Sequence, residues 1–282
     1  MKTQGYYRFK KIAINTLIHL FLITVAATCI LPLGWMVSSS LKTQETIFKD
    51  MSFIPREFHF ENYIRAWQEG GFGRYFLNSI IYTVSVVIGI IIVASLAAYA
   101  FSRLRFPGRK VLFLMFMAAM MVPIPGSFVA LYVLLNKLHL RNTAVGYIVC
   151  MISVGLSMSI FLLKTFFDRL PQELEDAARM DGASKFGIWW HVAMPLARPV
   201  LAVVVVFNAL NVWNEYVLAL IIFDSKSLMP LQRALMVFQG EFLTNYPLLM
   251  AGLTITALPI ILVYLLMQKY IVKGVTAGAT LG

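Results

Sequence analysis

The sequence predicts an all-α integral membrane protein with six transmembrane helices. Of its 282 residues, 60% are hydrophobic and 13% are charged, whereas a soluble domain is about 45–50% apolar and about 25% charged. The few charges leave long uncharged intervals, each long enough for a membrane helix of about 20 apolar residues. Only helices and closed barrels satisfy the backbone in lipid, and the short alternating segments typical of a barrel are absent from the sequence. This composition also excludes an intrinsically disordered chain.

Six candidate spans follow from the positions of the charges. The uncharged intervals are 12–41, 75–102, 111–136, 142–163 and 242–268, and a sixth interval, 199–223, is interrupted only by Glu215. We place the spans near 13–37, 78–101, 111–134, 143–163, 200–223 and 248–268. The first is interpreted as an uncleaved helix, because its apolar stretch exceeds the roughly 7–15 residues of a signal peptide's hydrophobic region.

The net charge of +11 is distributed unevenly along this topology. With the N-terminus in the cytoplasm, the inside segments carry 15 of the 24 Lys and Arg residues and five of the 13 acidic residues. Cytoplasmic segments of membrane proteins are enriched in Lys and Arg. The charge therefore predicts that both termini are cytoplasmic, and it does not indicate nucleic-acid binding.

Two spans have an unusual composition. The second is rich in small residues, among them Ala94, Ser95 and Ala98, which allow close helix packing in lipid. The third contains Pro123 and Pro125, which predict a kinked or unwound helix near 122–126.

The first outside segment, about 38–77, is interpreted as a structured connector, with docking of an extracellular partner as the alternative. The four histidines have no ligand spacing, so no metal site is predicted.

The segment 164–199, between spans four and five, differs from the other inside segments. Pro171 followed by acidic residues is typical of a helix start, Gly182 allows a sharp turn, and Ser184 is a candidate cap for a second helix. Pro195 and Pro199 then end that helix and begin span five. The pattern predicts two short helices separated by a glycine. They either insert into a groove of another protein or lie on lipid as amphipathic helices.

The same segment resembles the EAA loop of ABC importer permeases. The resemblance rests on Glu175-Asp176-Ala177-Ala178, then Asp181-Gly182-Ala183, and later Pro195. The usual form is Glu-Ala-Ala, three residues and Gly, with Leu-Pro after an apolar stretch. Here Asp replaces the first Glu, and Met194 replaces the Leu. The resemblance implies a type I ABC importer permease, with a core domain over 75–272. Residues 1–74 then contain the tail, first helix and first extracytoplasmic segment, and 273–282 form a cytoplasmic tail.

A second stretch narrows the resemblance. Asn211-Val-Trp213-Asn214-Glu215-Tyr216 is similar to the Trp-Asn-Glu sequence of carbohydrate-uptake permeases. The tail after Gln268 is similar to that of the second permease subunit in maltose-type importers. The resemblance therefore implies a multi-pass protein of a bacterial or archaeal cytoplasmic membrane that moves a sugar or sugar derivative into the cell.

The resemblance also implies the partners. No Gly-x-x-x-x-Gly-Lys-Ser/Thr motif is present in the sequence, so we expect no enzyme activity and no cofactor in this chain, and ATP and Mg in two separate ATPase subunits. A second homologous permease and an extracytoplasmic substrate-binding protein complete the importer. The residues expected to couple to the ATPase are Glu175, Asp176, Ala177, Ala178, Asp181, Gly182, Ala183 and Pro195.

Glu215 is the acidic residue inside a predicted span. Ionisable residues in the membrane are costly and indicate a functional site. Asn208, Asn211 and Asn214 are spaced to share one helical face with it. Amides of this kind suit sugar hydroxyls, and Trp213 or Tyr216 is available to stack on a ring. The alternative is that these groups hold helices together.

Other functions fit the sequence less well. A secondary transporter usually has internal repeats and more intramembrane charge. An intramembrane enzyme needs paired acids or a Ser/His/Lys group at matching depth. A permease of the same fold for another solute, such as glycerol phosphate or an amino acid, remains the main alternative.

Overall fold

The computed structural model describes residues 2–121, 128–240 and 244–279, with side chains described over 11–121, 128–240 and 244–269. Within these ranges the chain is largely helical. It forms two compact units, one of residues 1–70 and 235–255, the other of residues 71–234 and 256–282.

The described helices follow one another along the chain. In order they are α1 Lys2–Ser40, α2 Glu61–Glu69, α3 Phe72–Arg103, α4 Arg109–Ala119, α5 Phe128–Lys137, α6 Ala144–Asp168, α7 Gln172–Met180, α8 Lys185–Ile188, α9 Met194–Leu196, α10 Arg198–Asn214, α11 Val217–Ile222, α12 Gln232–Met236 and α13 Tyr246–Ala279. A π-helical turn, Trp189–Ala193, joins α8 to α9, and a 3₁₀ turn, Lys226–Leu228, precedes α12.

In the described part of the chain, four helical stretches are long and apolar enough to cross a membrane. They belong to α1, α3, α6 and α13. They cover predicted spans one, two, four and six to within one residue. The third predicted span, 111–134, falls on α4 and α5. The kink predicted near 122–126, at Pro123 and Pro125, lies outside the described residues. The count of six spans therefore stays a prediction.

The fifth predicted span, 200–223, is not one continuous helix, and the sequence-based expectation was wrong on this point. Helix α10 ends at Asn214, Glu215 takes an extended conformation with ψ 131°, and α11 begins at Val217. The Glu215 carboxylate accepts the backbone N–H groups that open α11. This side-chain cap stabilises a second helix start inside the apolar interval.

The core of the second unit is built around α3, which packs against α6 and α10. The small residues Ala94, Ser95 and Ala98 of α3 are fully buried, which confirms the close packing predicted for the second span. Ile160, Leu163 and Phe167 of α6 are buried in the same unit. This packed layer supports the segment 172–196 that follows α6.

In the first unit, the connector after α1 is organised by a buried lysine. Lys42 is 2% exposed, and its Nζ donates to the carbonyl oxygens of Asp50 at 2.5 Å and Ser52 at 2.8 Å. Asn62 of α2 donates to the carbonyls of Ser40 and Lys42. These bonds confirm a structured connector, and docking of a partner there stays a separate hypothesis.

Candidate functional site

The predicted pair of helices separated by a glycine is present. Helix α7 begins directly after Pro171, and Gly182 has a φ of +82°, the left-handed region that glycine enters without steric cost. Ser184 caps α8, because its Oγ accepts the N–H of Gly187 at 3.1 Å. The sequence signals for start, turn and cap are therefore confirmed.

The segment then turns sharply into the long helix α10. The helical stretch Lys185–Leu196 is bent by 79° relative to Arg198–Asn214. Pro195 lies near the end of the first stretch, after the π-helical turn. Pro199 lies in the first turn of α10, where the missing N–H of proline does not weaken the helix. Trp189 and Ala193 are buried in the core of the unit. The residues that follow α8 are thus packed into the hydrophobic core of the unit.

The outer surface of the two helices carries exposed apolar side chains. Met180, at the end of α7, is 89% exposed, and Phe186, in α8, is 63% exposed. Large exposed apolar side chains of this kind mark interaction surfaces when they form a patch. Between them lies Gly182, where a Cβ would meet no other atom within 4 Å.

Apart from Glu175, the predicted coupling residues divide into two groups in the structure. One group is exposed and consists of Asp176, Ala177, Asp181, Gly182 and Pro195. Ala178 and Ala183 are partly buried and pack against the hydrophobic core of the unit. The helix pair therefore packs on the bundle through small side chains. The opposite surface of the helix pair is exposed. Binding of an ATPase to the open surface stays a prediction.

Glu175 has a different environment from its neighbours. It is 4% exposed, and its Oε1 lies 2.7 Å from Nε of Arg103, the last residue of α3. The hydroxyl of Tyr99 donates to Glu175 Oε2 at 3.3 Å. The sequence reasoning missed Arg103 and Tyr99, because their partner is more than 70 positions away and no local pattern marks them.

The three asparagines of α10 do not share one environment. Asn208 is 2% exposed, and its Nδ2 donates to Ser159 Oγ at 3.0 Å and to the Val204 carbonyl at 2.8 Å. Asn211 and Asn214 are exposed. Asn208 thus has the role of a packing amide between α10 and α6. Contact between this helix and a sugar stays a prediction. Of the three asparagines, Asn211 and Asn214 have the exposed side chains that such a contact requires.

Trp213 is part of the packing of the unit. It is 4% exposed, its Nε1 donates to the Thr256 carbonyl at 3.0 Å, and its ring contacts Phe76 edge to face. Tyr216 is partly exposed. Of the two aromatic residues predicted to stack on a sugar, Tyr216 is therefore the one with accessible surface.

Glu215 lies at the break between α10 and α11. Its Oε1 accepts the N–H of Leu218 at 2.6 Å, and its Oε2 accepts the N–H of Ala219 at 3.2 Å. The hydroxyl of Tyr147 in α6 donates to the same carboxylate at 3.4 Å. The N-terminus of a helix favours a negative charge. The Glu215 carboxylate is thus held by donors from two helices.

Comparison with known proteins places this arrangement in a family. Residues 90–277 match the family described as binding-protein-dependent transport system inner membrane component. The chain is 34% identical to the probable ABC transporter permease protein YurM of Bacillus subtilis, over 94% of this chain and 87% of that protein. It is 31% identical to the diacetylchitobiose uptake system permease protein NgcG of Streptomyces coelicolor, over 92% and 87%.

The fold is also similar to that of a solved transporter. A chain in the crystal structure of a bacterial ABC transporter involved in the import of the acidic polysaccharide alginate superposes with a TM-score of 0.79. The two chains are 27% identical, and the match covers 92% of this chain and 96% of that one. The family match covers more than half of the chain, the relatives are permease proteins, and the helix pair around Gly182 has the predicted geometry. The chain therefore belongs to the binding-protein-dependent transport system inner membrane components, the permease family of ABC transporters.

Proposed function

We propose that this chain moves a sugar or sugar derivative into the cell as one permease subunit of an ABC importer. Two similar proteins support the substrate class, since one is named for diacetylchitobiose uptake and the other for import of alginate. The exposed amides of Asn211 and Asn214, next to the partly exposed ring of Tyr216, suit hydroxyl groups and a sugar ring.

We propose that ATP hydrolysis takes place in two separate ATPase subunits, which bind ATP and Mg. The observation that carries this proposal is the open surface of α7 and α8, where Met180 and Phe186 flank the left-handed Gly182. In this proposal, the two short helices insert into an ATPase groove and transmit its closure as a rigid-body motion.

The remaining partners and the orientation belong to the same proposal. A second, homologous permease forms a heterodimer with this chain, and an extracytoplasmic binding protein delivers the sugar. Both termini are cytoplasmic, as the distribution of Lys and Arg favours. The core domain extends over 75–272, and the tail 273–282 lies on the ATPase side.

The test is ATP-dependent uptake by the reconstituted importer. The chain is co-expressed with a second permease, an ATPase and a binding protein, and the complex is placed in proteoliposomes with ATP on the ATPase side. Labelled chito-, arabino- and galacto-oligosaccharides are compared with glycerol phosphate and an amino acid. Saturable uptake of one sugar that requires both ATP and the binding protein is expected. Uptake of a non-sugar alone contradicts the substrate class, and uptake without ATP contradicts the importer mechanism.

A further inference from the structure

The last turn of α3 is bonded to the end of α6 and to the segment that follows it. Ser102 Oγ donates to Asp168 Oδ1 at 2.7 Å, at the last residue of α6. Arg103 Nη2 donates to the carbonyl of Leu170 at 2.6 Å. The rings of Tyr99 and Phe167 are in edge-to-face contact, with centroids 5.9 Å apart. The ends of the two helices are thus held together by side chains of consecutive turns.

The same turn of α3 also holds α7. The side chains of Arg103 and Glu175 are 8% and 6% exposed, so their ion pair is shielded from water. Tyr99 adds a hydrogen bond to the second carboxylate oxygen. Arg179, which is 55% exposed, approaches that oxygen at 3.8 Å from the outer side. We refer to Tyr99, Arg103 and Glu175 as the buried clamp.

A clamp of this kind resists separation of the elements that it joins. Removing one partner of a buried ion pair leaves a charge without compensation in a poorly solvated site. The pair therefore favours geometries in which α7 stays against the end of α3. A surface ion pair has no comparable effect, because water and salt screen it.

The clamp adds a side-chain connection from α7 to the bundle. The backbone connects α7 to α6 through residues 169–171, and to α10 through α8, the π-helical turn and the 79° bend. A bend between two helices is a place where motion can be absorbed. The clamp instead links α7 directly to the 32-residue helix α3, which packs along α6. A displacement of α7 is then transmitted to α3 and α6 together.

We propose that the buried clamp makes α7, α3 and α6 one rigid unit, and that Glu175 and Arg103 are positioning residues that convert ATPase closure into movement of α3. The proposal rests on the proposed coupling role of α7 and α8. It assigns to Glu175 a role inside the chain, distinct from the ATPase contact expected of its exposed neighbours.

Rigidity is tested first in the assembled transporter, without any need for the sugar. In a background of Cys29→Ser and Cys150→Ala, spin labels are attached at Glu173→Cys on α7 and Leu96→Cys on α3, both at exposed positions. The distance distribution is compared between the nucleotide-free and the vanadate-trapped complex. We expect the same narrow distribution in both states, and a broader or shifted one after Glu175→Gln. A label distance that changes equally with and without the clamp overturns the proposal.

Coupling is tested next by measuring ATP hydrolysis and uptake in the same proteoliposomes. Glu175→Gln and Arg103→Ala are expected to lower uptake per ATP by about 2- to 30-fold, the range of coupling energies carried by single residues. The double variant is expected to lose no more than the single ones, because both remove the same interaction. Arg103→Lys, which keeps the charge, is expected to recover part of the ratio.

The matched control is Glu69→Gln, which breaks an exposed ion pair between Arg65 Nε and Glu69 Oε1 at 3.0 Å. It is expected to leave the ratio unchanged. A purely structural role of the clamp predicts instead that assembly, hydrolysis and uptake fall together at a constant ratio, and this result overturns the proposal. An unchanged ratio in Glu175→Gln does so too. A wild-type complex that takes up no sugar contradicts the proposed function, and the label distances in the nucleotide-free and vanadate-trapped states then still decide on rigidity. A complex that lacks an ATPase also contradicts the proposed function, and rigidity is then decided by the label distances of the wild type and Glu175→Gln without nucleotide.

Discussion

The Glu215 carboxylate accepts the backbone N–H of Leu218 at 2.6 Å, across the break that divides the fifth predicted span. The sequence leaves two roles open for this carboxylate, contact with the substrate or bonding between helices. In the structure it satisfies the first amides of α11, with the hydroxyl of Tyr147 as a third donor. The polar residue thus permits a helix to end and restart within an apolar stretch of the chain, with the first amides of the new helix paired.

We expect Glu215→Ala to destabilise the chain by about 1–2 kcal/mol, because the N-terminal amides of α11 lose their acceptor. Glu215→Gln keeps a side-chain oxygen at the same position, so its effect is expected to be smaller. The measurement is the thermal unfolding of the detergent-purified complex. Equal unfolding temperatures for the Ala variant and the wild type contradict the capping role.

The buried amide of Asn208 and the exposed amide of Asn211 are predicted to respond differently to the same substitution. Asn208→Ala removes the hydrogen bond to Ser159 between two helices and is expected to lower stability by about 0.6–2 kcal/mol. Asn211→Ala is expected to leave stability unchanged and to raise the KM for the transported sugar. Thermal unfolding and uptake kinetics are measured side by side. A stability loss at Asn211 with unchanged uptake contradicts this division.

Gly155 of α6 allows close approach of α6 to α10. A Cβ at this position would overlap Asn208 Oδ1 and Ile90 Cδ1, so Gly155→Ala is expected to cost about 1–3 kcal/mol of stability through overpacking. Gly34 in α1 is the matched control, since its nearest neighbour would be Phe53 at 3.5 Å. Gly34→Ala is expected to be neutral in the same unfolding assay. Similar unfolding temperatures for the two variants disprove the close-packing explanation.

Gly182→Asp is expected to abolish transport while the binding protein keeps its affinity for the sugar. The left-handed conformation costs a non-glycine residue about 1–2 kcal/mol, and an added charge lies on the surface proposed to enter the ATPase groove. The measurement is ATP-dependent uptake, together with co-purification of the ATPase.

The matched control for that variant is Gly108→Asp. Gly108 also has a left-handed φ, of +80°, and open space around its Cβ, but it precedes α4. Gly108→Asp introduces the same strain and charge outside α7 and α8, so uptake is expected to persist. Normal uptake in Gly182→Asp, or equal loss in both variants, contradicts the coupling role of Gly182.

The sequence by itself determined the membrane-helix class, the four long apolar helices and the helix pair around Gly182. These features depend on consecutive residues, because apolar length, proline, glycine and capping hydroxyl groups act locally. The family resemblance also followed from short motifs.

Only the tertiary structure decided which polar side chains are engaged inside the bundle. Glu175 and Asp176 are adjacent, yet one is buried against Arg103 and the other is exposed. Asn208 and Asn211 differ in the same way, and Glu215 ends a helix that its apolar neighbours would continue. Burial and hydrogen-bond partners come from residues distant in the chain, so these roles follow from how α3, α6 and α10 pack and not from local pattern.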